Sequence, residues 1–143
     1  MGKLRVDIIA LANYADYSKD GKLSINGIFD EIYAEKYPSS FVRGFLVLTI
    51  SGEPNSQSVL KVVCQSPRNK TVLEKDISMP FGSNGKGNFI VELLALPLPE
   101  AGEYTIFIKD KTTEIAFTKF NVSAAKKVDE QRRGQGNSPN RAN

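Results

Sequence analysis

Apolar and polar side chains alternate with period two through most of this chain, in runs punctuated every 8–15 residues or so by glycine, proline, asparagine or aspartate. Leu4, Val6, Ile8 and Ala10 alternate with Lys3, Arg5 and Asp7, which predicts a strand with one buried face. Ser18-Lys19-Asp20-Gly21 predicts a hairpin turn, because aspartate and glycine together favour the tight two-residue connection. A second strand is expected from Lys22 to Asp30, carrying Leu23 and Ile25 on one side. Glu31 to Ser40 holds neither period and is expected to be an irregular crossing closed by Tyr37-Pro38.

Phe41 to Ser51 is apolar on both faces, with Val42, Leu46, Leu48 and Ile50 opposing Phe41, Phe45 and Val47. That pattern suits a central strand in a two-layer core. Val59 to Gln65 repeats the alternation with Leu60, Val62 and Cys64. Thr71 to Met79 is half charged and is expected at a sheet edge. Asn88 to Leu96 is strongly apolar. Leu96-Pro97-Leu98-Pro99 is expected to leave the sheet, since each proline lacks a ladder donor, and to cross between layers. Gly102-Glu103-Tyr104 then opens a strand with the spacing of a tyrosine corner. Thr113 to Val122 closes the pattern. The sum is all-β: an immunoglobulin-like antiparallel sandwich of about 7–9 strands.

Composition narrows the functional classes. The 143 residues allow one ordinary domain, and 41% of them are hydrophobic, which fits a folded core. No run of 18 apolar residues exists to form a membrane helix. Histidine is absent, which removes the commonest general base and metal ligand. A single cysteine, Cys64, forms no internal disulfide, and with no apolar leader the expected location is cytoplasmic. Charge divides the chain unevenly. Of 19 Lys and Arg against 16 Asp and Glu, the last nineteen residues hold five basic and two acidic ones, so residues 1–124 are neutral. Two regions are therefore expected: a sandwich over 1–124 and a flexible, disordered basic tail over 125–143. Nucleic-acid binding is expected only weakly, through Lys126, Lys127, Arg132, Arg133 and Arg141.

Motifs with chemistry fall short of their templates. Asp16, Ser18, Asp20, Gly21 and Leu23 occupy the right positions of a calcium loop, but Gly27 stands where the closing carboxylate is needed, so a polar turn is expected. Gly82 to Gly87 lacks both the first glycine and the hydroxyl of a phosphate loop. Cys64 has no base to activate it and is expected in the core. Asp30 and Glu31, adjacent in extended chain, point to opposite faces and make a poor acid–base pair. No catalytic residue, metal site or cofactor is therefore assigned. Four of the five tyrosines, Tyr14, Tyr17, Tyr33 and Tyr37, fall in the first quarter and are the candidate binding residues. Gly21, Gly27, Gly102 and Tyr104 are expected to be structural.

Ala12-Asn13-Tyr14-Ala15, the segment Gly21-Lys22-Leu23-Ser24-Ile25-Asn26-Gly27-Ile28-Phe29-Asp30-Glu31-Ile32, Leu96-Pro97-Leu98-Pro99 and Gly102-Glu103-Tyr104 together resemble an uncharacterised group of small bacterial proteins, a domain of unknown function. The resemblance covers about residues 4–123. It implies a small β-sandwich and carries no catalytic or ligand residues. The functional expectation is a non-enzymatic module that binds an unidentified protein partner, through the tyrosines or the Thr71–Met79 edge. The alternative is a sandwich that binds a small ligand or carbohydrate.

Overall fold

A computed structural model describes residues 3–124. The expectations about the basic tail lie outside the described residues. Nine strands follow one another: β1 (Arg5–Tyr17), β2 (Leu23–Ile28), β3 (Glu31–Ala34), β4 (Ser39–Ser51), β5 (Gln57–Gln65), β6 (Thr71–Pro80), β7 (Lys86–Leu98), β8 (Gly102–Asp110) and β9 (Thr113–Ala124). Among the described residues there is no helix, and none that could cross a membrane. The strands form a four-stranded sheet in the order β2-β1-β4-β7 and a five-stranded sheet in the order β3-β9-β8-β5-β6. This is the two-layer immunoglobulin-like sandwich that the alternation and turn spacing predict.

The layers meet over Leu11, Leu46, Leu48, Ile50, Val91 and Leu93 from one sheet and Leu60, Val62, Cys64, Ile106, Ile108 and Phe120 from the other. Burying an aliphatic side chain of this size contributes about 1.5–3 kcal/mol, so the inner face dominates stability. The corner at Tyr104 forms as expected. Its hydroxyl donates to the carbonyl of Glu100 at 2.7 Å and accepts the Glu100 N–H at 3.2 Å, while its ring stacks on Phe120.

Four local departures from the predicted pattern have physical causes. The ladder between β1 and β4 slips between Val6 and Ile8, so Asp7 is an extra residue and the phase inverts. Val6, Ile9 and Leu11 then face the core, and Ile8 turns to solvent. A second inversion falls between Phe41 and Leu46: Phe41 packs on the core, and Val42, which shares the phase of Leu46, Leu48 and Ile50, is 79% exposed. Its counterpart on β7 is Ala95 at φ 53°, which leaves Leu93 and Leu96 buried and Leu94 exposed. Pro97 lies inside β7 opposite Ser40, against the expectation that it would leave the sheet. β7 is an edge strand, so a residue with no N–H is tolerated there. The chain crosses between layers just afterwards, before β8. Finally, the expected irregular crossing contains β3, which pairs in parallel with the end of β9, from Glu31 opposite Asn121 to Ala34 opposite Ala124. Sheet pairing is antiparallel everywhere else among the described residues.

The β1–β2 hairpin adds a second, smaller cluster on the outer face of the four-stranded sheet. Ala15, Leu23 and Ile25 of the hairpin meet Phe45 and Val47 of β4 and Ile90 of β7. Tyr17 spans the same face, donating its hydroxyl to the carbonyl of Asn88 on β7 at 3.2 Å. The hairpin therefore bends over its own sheet. Gly27 makes the bend possible: it sits at φ 74°, and a Cβ there would stand 2.6 Å from the Asn13 side-chain amide. The Ser18–Lys22 turn is closed by backbone bonds from Ser18 N–H to Lys22 O and from Gly21 N–H to Ser18 O, a polar turn as expected.

Candidate functional site

The four candidate tyrosines do not form one surface. Tyr14 and Tyr17 belong to the bent hairpin, where Tyr14 packs edge-on against Phe45 with ring centroids 5.5 Å apart. Both keep about half their surface in solvent. Tyr33 is equally exposed but sits on β3, at the edge of the other sheet. Tyr37 turns inward: its ring packs against the main core, and its hydroxyl is buried without a hydrogen-bond partner among the described residues. Alternation could not reveal this separation, because it reports which face a residue takes and not which sheet its strand joins.

Tyr33 lines a cleft of about 630 Å³ between β3 and the beginning of β4. Phe29 and Phe41 form part of its wall and contact each other, with centroids 5.5 Å apart. Asn13, Glu31, Ser39, Ser40 and Arg43 supply polar groups around it. The Glu31 carboxylate is fixed in place: one oxygen accepts from the side chains of Asn121 at 3.0 Å and Ser123 at 2.6 Å, across the parallel β3–β9 pair. Arg43 is tethered by its Nε to Glu92 at 2.6 Å and lies over the ring of Phe45. None of Asn13, Glu31 or Arg43 carries a sequence signal for this role; β3 brings them together.

Val42 is one of the cleft's lining residues, and on β7 Leu94 is 64% exposed, on the same face as Glu92. Leu94 pairs with Arg43 across the ladder. β7 is hydrogen-bonded on one side only. The other long edge, β6, occupies the place expected for Thr71–Met79 and carries Glu74, Lys75 and Asp76 in succession. Glu74 and Asp76 both hold Lys61 of β5 at 3.0 Å and raise its pKa. A second cleft of about 610 Å³, with Leu4, Ser58, Lys61 and Lys111 among its walls, includes that same lysine.

Two further groups bear on chemistry. Ser51 donates to Asp7 at 2.6 Å and accepts from Lys86 at 2.9 Å, and Arg5 donates to the same carboxylate at 2.8 Å. The Ser51 hydroxyl, with Arg5 beside it, pulls the Asp7 pKa down to about 2. A serine next to a lysine resembles a nucleophile and its base, but here the Asp7 carboxylate engages both side chains, accepting from Ser51 at 2.6 Å and from Lys86 at 3.3 Å. The cluster ties β1, β4 and β7 together at the Asp7 bulge. Cys64 is buried, and desolvation pushes its thiol up to about 12.

The chain matches a family of unknown function, DUF6941, over residues 7–123, and belongs to that family. No curated protein matches it. Among solved structures it is similar to an immunoglobulin-like protein from Pseudomonas aeruginosa, at 12% identity and a TM-score of 0.47, covering 85% of this chain and 97% of that one. It is also similar to part of the alkylpurine DNA glycosylase AlkC from Pseudomonas fluorescens, bound to DNA containing an abasic site analogue. There the identity is 9% and the TM-score 0.52, covering 87% of this chain and 31% of that one. A β-glucosidase from Listeria innocua in complex with glucose gives 10% and 0.49, covering 85% and 16%. At these identities the likeness is one of fold.

Proposed function

We propose that this member of the DUF6941 family is a non-enzymatic binding module that engages a protein partner along the β7 side of its four-stranded sheet. The observation that carries the reading is Leu94, 64% exposed on a thirteen-residue strand with one open edge. Open edges offer unpaired backbone donors and acceptors to an added strand, and neighbouring apolar side chains supply its anchors. β6 suits this role less, because three consecutive charges resist pairing with another chain.

The non-enzymatic part of the reading rests on the side chains present. The sequence has no histidine, the one thiol is buried and kept protonated by a pKa pushed up to about 12, and the Ser51–Lys86 pair is held by the Asp7 carboxylate. The lone cysteine supports a reducing, cytoplasmic setting.

Affinity capture from nuclease-treated lysate tests the proposal, comparing the full chain with Leu94→Asp and a chain ending at Ala124. A specific protein should be retained by the full chain and the shortened one and lost with Leu94→Asp, all with unchanged thermal unfolding. Retention by Leu94→Asp overturns the β7 assignment. Loss only on removing residues 125–143 would move recognition to the basic segment.

A further inference from the structure

We propose that the cleft between β3 and the start of β4 is a binding site for a neutral saccharide, with the Tyr33 ring as its platform. Val42 and Leu98 line this cleft too, but the reading rests on Tyr33, Glu31 and Arg43 and not on the open β7 edge. The cleft is an open groove of about 630 Å³. A pyranose presents a flat face of C–H groups and a rim of hydroxyls that both donate and accept. The cleft offers a counterpart to each part.

The apolar face needs an exposed aromatic surface, and Tyr33 is 51% exposed at the cleft wall, with the Phe29–Phe41 pair behind it. The hydroxyl rim needs donors and acceptors held in place before binding, so that little ordering entropy is lost. Glu31 is an acceptor of that kind. Its Oε2 is anchored by Asn121 and Ser123, and Oε1 has no partner among the described residues. Arg43 uses Nε for Glu92 and retains its terminal N–H groups as donors. Asn13 adds an amide that can do either.

The charge balance narrows the ligand class. Arg43 is paired with Glu92, so Glu31 carries the uncompensated charge of the cleft; an anionic ligand is disfavoured, whereas the hydroxyls of a neutral polyol can donate to Glu31 and accept from Arg43. A peptide strand is the poorer occupant, because β3 offers only four residues of edge.

The test is titration of the uniformly ¹⁵N-labelled full chain with maltose, cellobiose and N,N′-diacetylchitobiose, followed by amide chemical shifts. At least one sugar should give saturable shifts centred on residues 31–33 and 39–43. Tyr33→Ala should weaken that binding by about tenfold, whereas Tyr33→Phe, which keeps the platform, should bind within about twofold of the parent. Tyr33 is exposed, so both variants should keep the parent spectrum elsewhere. Saturable binding by none of the three sugars overturns the proposal. Shifts mapping outside the cleft, or unchanged affinity in Tyr33→Ala, overturn it equally.

Discussion

Two tyrosines that are chemically identical in the sequence should respond with opposite sign to loss of the same atom. Tyr104 and Tyr37 both pack against the main core. The Tyr104 hydroxyl exchanges two hydrogen bonds with the backbone of Glu100, at 2.7 and 3.2 Å. The Tyr37 hydroxyl is buried with no partner among the described residues. Replacing Tyr104 by Phe keeps the ring and its stack on Phe120 but removes both bonds. A net bond of this kind contributes about 0.5–1.5 kcal/mol, and Glu100 is partly exposed, so water recovers some of the loss. The expected cost is about 1–2 kcal/mol. Replacing Tyr37 by Phe removes a hydroxyl that was desolvated with nothing in return, which should stabilise by up to about 1 kcal/mol. Reversible urea unfolding, followed by far-ultraviolet circular dichroism with a shared m-value, measures both changes. In thermal unfolding Tyr104→Phe should lower Tm by about 4–8 °C, and Tyr37→Phe should leave it unchanged or raise it. Equal destabilisation by the two variants would refute the reasoning, because it would require the Tyr37 hydroxyl to make a bond as good as the corner's.

Gly102→Ala should destabilise the same corner by about 1–3 kcal/mol in urea, since Gly102 has φ 128° and a Cβ would stand 2.7 Å from Pro67 Cγ. Cys64 should resist a soluble disulfide reagent at pH 8 in the native protein and react fully in denaturant, because burial holds its pKa at about 12. Asp7→Asn should flatten the acid limb of stability against pH. The Asp7 carboxyl falls from 3.8 to about 2 on folding, so its contribution is complete above pH 4 or so and is lost as pH drops through about 2. A variant whose acid unfolding superimposes on the parent's would show that the Ser51, Arg5 and Lys86 contacts add nothing to stability.

Much of the architecture was legible from local chemistry. Alternation in Leu46, Leu48 and Ile50, in Leu60, Val62 and Cys64, and again through Ile106 and Ile108 specifies which side of each strand is buried, because a strand's side-chain period is two whatever its neighbours are. Gly102 and Tyr104 predict their corner because that contact closes within five residues. The half-charged Thr71–Met79 run predicts an edge for the same local reason, its own lack of a second apolar face.

The site was not legible, and its residues show why. Leu94 sits in a run of apolar residues that points to burial, yet it shares the outer face with Glu92, and the backbone turn at Ala95 brings Leu96 and Leu98, but not Leu94, to the core. A one-residue change of phase moves every later side chain to the other face, and nothing in side-chain type marks where it occurs. Glu31 looks unremarkable beside Asp30 until β3 pairs with β9 and places Asn121 and Ser123 against it, some ninety residues away along the chain. The four tyrosines are neighbours in sequence, yet the hairpin bend, the β3 crossing and the core claim them separately. Sequence by itself determined the strand class, the inner face and the corner, because each depends on periodicity or on contacts a few residues apart. Tertiary structure alone decided which polar groups share a cleft and which apolar side chains remain exposed, because those follow from pairing register between distant strands.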